Sequence, residues 1–134
     1  MYTAETIIRV RYSETDQMGY VYYGNYGQYY EVSRVEAMRN LGLPYKMVEE
    51  KGYIMPVVSM YVKYIKPAFY DDLLTLKTSI KELPNMRIKY DYEIFNEKKL
   101  LINYGETVHA FVKINVGKPF PAPEWLLEKL QPFF

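Results

Sequence analysis

The chain contains 134 residues, of which 49% are hydrophobic and 25% are charged, and its formal net charge is +1. This length predicts a single domain over residues 1–134, with a core that buries roughly two-thirds of the unfolded surface. The near-zero charge gives no electrostatic basis for nucleic acid or an anionic membrane as a partner.

The residue inventory excludes several kinds of chemistry. The absence of cysteine and the single histidine exclude disulfides, a thiolate nucleophile and a histidine-rich metal site, so no metal is expected. No basic segment precedes an apolar run at the start, and no apolar run reaches the roughly 20 residues of a membrane span. We therefore expect a cytoplasmic protein.

The first part of the chain changes from a strand pattern to a helix pattern. Alternating apolar and charged residues over 8–12 predict a half-buried first strand. Apolar residues spaced by three and four predict a helix over 26–41, which ends at Gly42. A shorter helix is expected over 45–51.

From residue 52 onward the hydrophobic period becomes two. Four strands are predicted, over 58–64, 74–81, 86–94 and 102–114, followed by a short helix over 124–130. One-sided alternation predicts an antiparallel sheet with one covered face, and the 26–41 helix is the long element available to cover it. The sequence therefore predicts an α+β fold.

The last predicted strand has one face that is more apolar than the other. Its apolar residues are Ile102, Tyr104, Val108, Ala110, Val112 and Ile114. His109 lies beside Thr107 on the less apolar face, so we expect a solvated or hydrogen-bonded structural histidine rather than a catalytic one.

One helix cannot cover every apolar residue of such a sheet. Ile7, Ile65 and Phe111 are expected to face away from the helix. Apolar surface left uncovered in this way predicts self-association, as a homodimer whose sheets join edge to edge.

The segment from Tyr12 to Arg34 carries the candidate chemistry. Asp16 lies in a short loop, and Asn25, a good N-cap residue, opens the long helix. Because the first amides of a helix lack internal partners, a carboxylate and free N–H groups are brought to one place. This arrangement suits attack on a carbonyl whose oxygen becomes negative. The alternative is that Asp16 only caps the turn that follows it.

Tyrosine is unusually frequent, with 16 copies. Most tyrosines are expected to pack in strands and interfaces, with the hydroxyl at a wet edge. Six of them form a cluster that is denser than sheet packing requires, and part of this cluster is expected to line a pocket: Tyr20, Tyr22, Tyr23, Tyr26, Tyr29 and Tyr30.

These features resemble the hotdog-fold acyl-CoA thioesterases, specifically the 4-hydroxybenzoyl-CoA thioesterase-like group. The matching stretches are Thr15-Asp16-Gln17-Met18-Gly19, Val21-Tyr22-Tyr23-Gly24-Asn25-Tyr26, Pro56–Ser59 and Pro67–Asp72, together with the order of elements. The resemblance implies an antiparallel sheet wrapped around a long central helix. It also implies hydrolysis of an acyl- or aryl-CoA to the free acid and CoA, by a homodimer or homotetramer. No separate cofactor is implied, since coenzyme A is part of the substrate.

The resemblance also assigns roles to particular residues. Asp16 matches the catalytic carboxylate, acting as nucleophile or as general base on water. The backbone amide of Tyr23 matches the group that polarises the carbonyl, because a phenol with a pKa near 10 is no base at pH 7. Gly24 would let the backbone approach the ligand closely. Ser59 would border the neighbouring subunit's site, and Arg87 would contact the phosphates of CoA.

Alternatives remain at this stage. The Tyr23 ring could serve packing alone, and Arg87 could belong to a solvated charged face. The alternative function is that of a relative without thioesterase activity, either dehydratase-like or an acyl-CoA-binding protein.

Overall fold

The computed structural model describes residues 1–134 and contains three α-helices and seven strands. The helices are α1 (Tyr26–Asn40), α2 (Tyr45–Glu50) and α3 (Glu124–Leu130). The strands are β1 (Tyr2–Arg9), β2 (Tyr53–Ile54), β3 (Val57–Tyr64), β4 (Leu73–Ile80), β5 (Arg87–Phe95), β6 (Leu101–Lys113) and β7 (Pro119–Phe120). None of the helices is long and apolar enough to cross a membrane.

All strand pairings are antiparallel. The main sheet has the order β1-β4-β5-β6-β3, and the short strands β2 and β7 extend it by pairing with the second half of β6. The outer edges of the main sheet are therefore β1 and β3. The sheet wraps around α1, which matches the predicted arrangement of one long helix covered by a meander of strands.

Helix α1 presents its buried residues at helical spacing. Tyr26, Tyr29, Tyr30, Ser33, Ala37 and Met38 all point into the core. Gly42, with φ +89°, follows in the left-handed region that glycine adopts without strain, and the helix ends there as predicted.

The first strand lies earlier in the chain than predicted. β1 runs from Tyr2 to Arg9 and pairs along its whole length with β4, from Ile80 back to Leu73. Tyr12, which was assigned to this strand, begins a short 3₁₀ turn (Tyr12–Glu14) and is 77% exposed. The length of β4 as a partner, rather than the hydrophobic pattern, sets the extent of β1.

From Asn103 onward, the buried face of β6 is the opposite of the one predicted, whereas Ile102 before it is buried. Asn103, Gly105, Thr107, His109 and Phe111 face the core, while the residues between them are more exposed. Tyrosine hydroxyls on other elements pair with part of this polar face: Tyr30 donates to the side-chain oxygen of Asn103, and Tyr92 bonds to Thr107. The side-chain nitrogen of Asn103 is buried without a partner.

The three apolar residues that were expected to face away from the helix differ in their burial. The prediction that Phe111 faces away from the core is wrong, since its side chain is fully buried. Ile7 and Ile65 are 61% and 45% exposed, as predicted.

The edge strand β3 is exposed on both faces. Of its eight residues only Val62 is half-buried. Val57, Val58, Met60, Tyr61 and Tyr64 each expose between 45% and 55% of their surface. One edge of β3 pairs with β6, and its other edge has no partner. A long, apolar, unpaired edge strand is a site for pairing with another chain.

Candidate active site

Asp16 lies in a tight loop between β1 and α1. Its backbone N–H donates to the Tyr20 carbonyl at 2.9 Å, and its carbonyl accepts from the Gly19 N–H at 2.9 Å. One carboxylate oxygen also accepts from the Met18 N–H at 2.8 Å. The turn-capping alternative is thus present in the structure, and it leaves the second carboxylate oxygen free. The loop holds the carboxylate in place without using all of its hydrogen-bonding capacity.

Helix α1 is preceded by a 3₁₀ turn over Tyr23–Asn25. The prediction that the Asn25 side chain caps the helix is wrong, because Asn25 is itself helical and its side-chain amide donates to the Glu14 carbonyl at 2.8 Å. The backbone amides of Tyr23 and Gly24 have no acceptor. The predicted free N–H groups are therefore present, but they lie in the 3₁₀ turn before α1 and not in the first turn of the helix.

Gly24 is required by a neighbouring side chain. A Cβ at this position would lie 2.6 Å from a ring carbon of Tyr22. The absence of a side chain leaves room for the Tyr22 ring, which contacts the Tyr23 ring with centroids 4.6 Å apart and planes tilted by 45°.

Asp16 and Tyr23 line the same cleft, which has a volume of about 250 Å³. The other lining residues are mostly aromatic and aliphatic: Met18, Tyr20, Val21, Tyr26, Tyr64, Ile65, Lys66 and Pro67. The Tyr64 hydroxyl donates to the Tyr23 carbonyl at 3.1 Å and so ties β3 to the start of the helix. The cleft combines one carboxylate, one lysine and Tyr23, whose amide is free, with mostly apolar walls.

Two phenols at or near the cleft have raised pKa values. The pKa of Tyr22 is raised, first by its interaction with the Tyr23 hydroxyl and also by the negative charge of Asp16. Burial raises the pKa of Tyr26 to about 12. Both phenols are therefore neutral at pH 7, which leaves Asp16 as the anionic group that lines the cleft.

Ser59 and Arg87 lie away from the cleft of their own chain. Ser59 pairs with Val108 near the start of β3, whereas Tyr64 at the end of that strand lines the cleft. Arg87 begins β5, pairs with Ala110 and is exposed beside Lys81 and Lys89. Within one chain the structure brings together Asp16, Tyr23 and Gly24 and leaves these two predicted residues apart.

A second cavity, of about 260 Å³, lies between α1, α2 and the inner face of the sheet. Its lining residues are Glu31, Arg34, Val35, Met38, Tyr45, Met55, Tyr90 and His109. The Tyr90 hydroxyl has no hydrogen-bond partner in the protein, and burial raises its pKa, so it stays a neutral donor. The guanidinium of Arg34 makes one long contact, at 3.5 Å, with the Tyr92 hydroxyl.

His109 is fully engaged in hydrogen bonds. Its Nδ1 donates to the Met55 carbonyl at 2.9 Å, so its Nε2 accepts from the Thr107 hydroxyl at 2.9 Å. Thr107 in turn accepts from Tyr92 at 2.5 Å. Burial lowers the pKa of His109 to about 4. The expectation of a structural, hydrogen-bonded histidine holds, although its ring is buried and not solvated.

Glu14 is a residue that the sequence analysis did not single out. It is 8% exposed and accepts hydrogen bonds from both sides of the candidate site. It stands in a polar loop beside Ser13 and Thr15, where nothing in the pattern predicts burial. Its burial is evident only in the fold, where the Tyr29 hydroxyl donates to its carboxylate.

Comparison with known proteins defines the class to which this fold and site belong. A solved structure of DHNA-CoA thioesterase from Staphylococcus aureus matches with a TM-score of 0.91 at 36% identity, covering 99% of this chain and 91% of that chain. A solved 4-hydroxybenzoyl-CoA thioesterase mutant, complexed with 4-hydroxybenzoyl-CoA, shares the fold at 22% identity, with a TM-score of 0.86 and coverage of 96% and 99%. The architecture is therefore that of the hotdog thioesterases, as predicted.

Sequence comparison identifies the family itself. Residues 10–130 match the family model described as the Thioesterase-like superfamily. The Bacillus subtilis protein named "Putative acyl-CoA thioesterase YneP" is 34% identical over 129 residues, which cover 93% of this chain and 94% of that protein. The chain belongs to the thioesterase-like superfamily, and the prediction of a thioester hydrolase is confirmed. The roles of individual site residues stay predictions.

Proposed function

We propose that the protein hydrolyses an acyl-CoA thioester, with the Asp16 carboxylate and the free amides of Tyr23 and Gly24 as its catalytic groups. The observation that carries this proposal is that Asp16 and Tyr23 line one apolar cleft, while the amides of Tyr23 and of the next residue, Gly24, have no acceptor. The proposed substrate class follows the relatives, two of which are named as thioesterases of CoA esters. Coenzyme A arrives as part of the substrate, so no separate cofactor is needed.

The amides supply the electrostatic part of the reaction. When a nucleophile attacks the thioester carbonyl, its oxygen gains negative charge, and the Tyr23 N–H can donate to it with the adjacent Gly24 N–H available beside it. An amide at the start of a helix also benefits from the helix dipole. Removal of one such donor in other enzymes costs about 10² to 10³ in turnover.

The Asp16 carboxylate provides the nucleophile or activates it. Either its free oxygen attacks the carbonyl carbon directly, or it takes a proton from a water that attacks. In both routes the C–S bond breaks and CoA leaves as its thiolate, which then takes up a proton. In the direct route a water must then hydrolyse the anhydride formed on Asp16. Both routes need an ionised carboxylate, which an aspartate provides at pH 7.

The active unit is proposed to be a homodimer joined through β3. The support is the unpaired edge of β3 and the exposed apolar side chains on both of its faces. An antiparallel pairing of β3 with its copy, centred on the strand, sets Val57 opposite Tyr64 and Ser59 opposite Val62. The partner subunit's Ser59 would then lie beside the end of β3 that lines the cleft, and a dimer of dimers is compatible with this arrangement.

The same pairing would bring a second cavity to the cleft. Val57 pairs with His109 in its own chain, so the start of β3 adjoins the cavity between α1 and the sheet. Paired strands lie about 4.8 Å apart, which would place the partner subunit's cavity next to the Asp16 cleft. We propose that this cavity takes the acyl group. Arg87, at the same end of the sheet, is the proposed contact for the CoA phosphates.

The lining of the cavity favours an aromatic acyl group that carries a hydroxyl. A cavity of about 150 Å³ accepts benzene in another protein, so about 260 Å³ accommodates an aromatic ring with substituents. Tyr90 offers an unpartnered hydroxyl, and Arg34 and Glu31 offer a donor and an acceptor for a ring hydroxyl. A carboxylate at this place would meet the negative charge of Glu31.

Steady-state hydrolysis across a panel of thioesters tests the proposed activity. The panel contains 4-hydroxybenzoyl-CoA, benzoyl-CoA and hexanoyl-CoA, and the released thiol is followed with a thiol reagent. We expect hydrolysis, with kcat/KM for the hydroxylated ester about tenfold above that for benzoyl-CoA, as one added hydrogen bond allows. Equal rates would overturn the assignment of the acyl pocket, and no hydrolysis of any member would overturn the function.

Sedimentation equilibrium at micromolar concentration tests the assembly. Wild-type protein is expected to sediment as a dimer or tetramer, and Val58→Lys, which places a charge on the apolar edge strand, is expected to shift it toward monomer and remove activity together. Lys77→Glu on β4, away from this edge, is the charge-changing control. An active wild-type monomer would contradict the shared site.

A further inference from the structure

The carboxylate of Glu14 joins two segments that flank the candidate site. One oxygen accepts from the Arg11 backbone N–H at 2.8 Å and from the Tyr29 hydroxyl at 3.0 Å. The other oxygen accepts from the Arg11 guanidinium at 3.1 and 3.2 Å. Tyr29 is 2% exposed, and burial, with the neighbouring Glu14 charge, raises its pKa, so its hydroxyl remains a donor. The side chain of Glu14 thus links the loop to the middle of α1.

The backbone carbonyl of Glu14 contacts the turn at the start of that helix. It accepts from the Tyr22 backbone N–H at 3.0 Å and from the Asn25 side-chain amide at 2.8 Å. These two residues enclose Tyr23 and Gly24, whose amides are free. Glu14 therefore contacts both ends of the short turn that carries the free amides, while Asp16 follows it by two residues.

We infer that Glu14 is a positioning residue, which fixes the distance between the Asp16 carboxylate and the amides of Tyr23 and Gly24. The hydrogen bonds of Glu14 to Arg11, Tyr22, Asn25 and Tyr29 are called the Glu14 clamp below. This inference rests on the proposed function, since it gives a purpose to the geometry only if Asp16 and the amides act on one carbonyl.

Physical chemistry explains why such a clamp would be built. A carboxylate that is removed from water is costly unless donors surround it, and Glu14 has four from side chains and backbone. Nothing in the core requires a charge at this place, because Tyr29 could pack against an apolar residue. A misplacement of reacting groups by about 1 Å can cost 10²-fold in rate. The clamp joins the segment that carries Asp16 to the turn that carries the free amides.

Two variants disturb the side-chain contact between Glu14 and Tyr29 while keeping most of the packing and the contacts of the Glu14 carbonyl. Glu14→Asp keeps the charge but withdraws it from Tyr29 by one methylene, and Tyr29→Phe removes only the hydroxyl. Each is expected to lower kcat by about tenfold or more with KM within about twofold of wild type, since the groups still bind substrate but are misplaced. Glu14→Gln keeps the length and an acceptor oxygen, so it is expected to retain most of the activity.

Ser33→Ala is the matched control for stability. Ser33 is buried in the same helix, one turn beyond Tyr29, and bonds to Thr78 away from the site. Its loss should lower the melting temperature to a similar extent and leave kcat unchanged. The ¹⁵N and ¹H shifts of the Tyr23 and Gly24 amides give a readout besides activity. They are expected to move in Glu14→Asp and Tyr29→Phe and to stay in place in Ser33→Ala.

The outcomes separate the clamp from the proposed function. Wild-type kcat and unmoved amide shifts in folded Tyr29→Phe would overturn the clamp, even if Glu14→Asp fails to fold. A Ser33→Ala variant with the same loss of kcat would also overturn it, because any local destabilisation would then suffice. If Asp16→Asn loses activity while Tyr29→Phe does not, only the clamp fails. If Asp16→Asn keeps wild-type turnover, the proposed function fails instead.

Discussion

The two halves of helix α1 lie beside ionisable groups of opposite character. At its start, Asp16 has one carboxylate oxygen bonded to a turn amide and the other free, beside two amides without acceptors. Beside its second half, the buried ring of His109 has both nitrogens hydrogen-bonded. They belong to a series of hydrogen bonds that begins at Arg34 and ends at the Met55 carbonyl. Histidine is the more common general base, yet the free capacity for chemistry lies with the aspartate.

This contrast shows how a site differs from a buried polar network. The displaced pKa of His109 follows from its burial, and its hydrogen bonds are already made, so it has nothing left to offer a substrate. The start of α1 instead leaves donors unpaired where a cleft opens. Unused hydrogen-bonding capacity at a cleft, more than a shifted pKa, identifies the candidate site in this protein.

The proposed role of Asp16 in catalysis is tested by removing its charge. Asp16→Asn is isosteric and should keep the fold, and we expect it to lower turnover by at least about 10²-fold because the amide can act neither as base nor as nucleophile. Asp91→Asn, the same change on the outer face of the sheet beside Lys89, is the control. Steady-state thiol release measures both, and equal activity of the two variants would remove Asp16 from the mechanism.

The role of the free amide is tested by removing it. Tyr23→Pro deletes the N–H at the first position of a 3₁₀ turn, where proline is tolerated. The preceding Tyr22 has φ −59° and ψ 131°, a conformation that is favourable before proline. We expect kcat to fall by about 10- to 10²-fold, with the Gly24 amide left to share the charge. Undiminished kcat in a folded variant would place the oxyanion elsewhere.

The sequence brings Asp16 and Tyr23 to one place, as the structure does, because they are close together in the chain, although it misplaces the free amides by one turn. Asp16 and Tyr23 are seven residues apart, and the glycine turn and helix signal between them are local. The pattern also predicts strands over 74–81 and 86–94, close to β4 and β5, since the inner residues of these strands are mostly apolar. The sequence pattern is sufficient to predict a residue's position where its partner is close in the chain or where both residues are apolar.

The same reasoning failed where a residue's partner is remote in the chain. The polar face of β6 is buried because Tyr30 and Tyr92 supply hydroxyls to it, and no periodicity reports this match. The burial of Glu14 is not predicted for the same reason, since its buried partner Tyr29 lies on helix α1, 15 residues later in the chain. Ser59 depends on a second subunit for its proposed role, which a single chain's pattern cannot place.

The burial of His109 predicts that the stability of the protein depends on pH. Unfolded His109 takes up a proton near pH 6.5, whereas the folded ring resists protonation down to about pH 4. Stability should therefore fall as pH drops from 6.5 toward 4, by about 2 kcal/mol between pH 7.5 and pH 5, and this loss should stop below about pH 4. Urea unfolding of wild type and His109→Gln measures it. A wild-type slope that persists unchanged in the variant would assign it to other groups.

The smallest expected effect separates the two parts of Tyr23. Tyr23→Phe keeps the amide, the ring contact with Tyr22 and the carbonyl that accepts from Tyr64, so only the hydroxyl is lost. A phenol cannot act as a base at pH 7, and we expect kcat within about threefold of wild type. Steady-state kinetics beside Tyr23→Pro provides the comparison. A loss as large as that of Asp16→Asn would mean that the hydroxyl takes part in the chemistry, and the start of α1 would then act through a side chain as well as through its backbone.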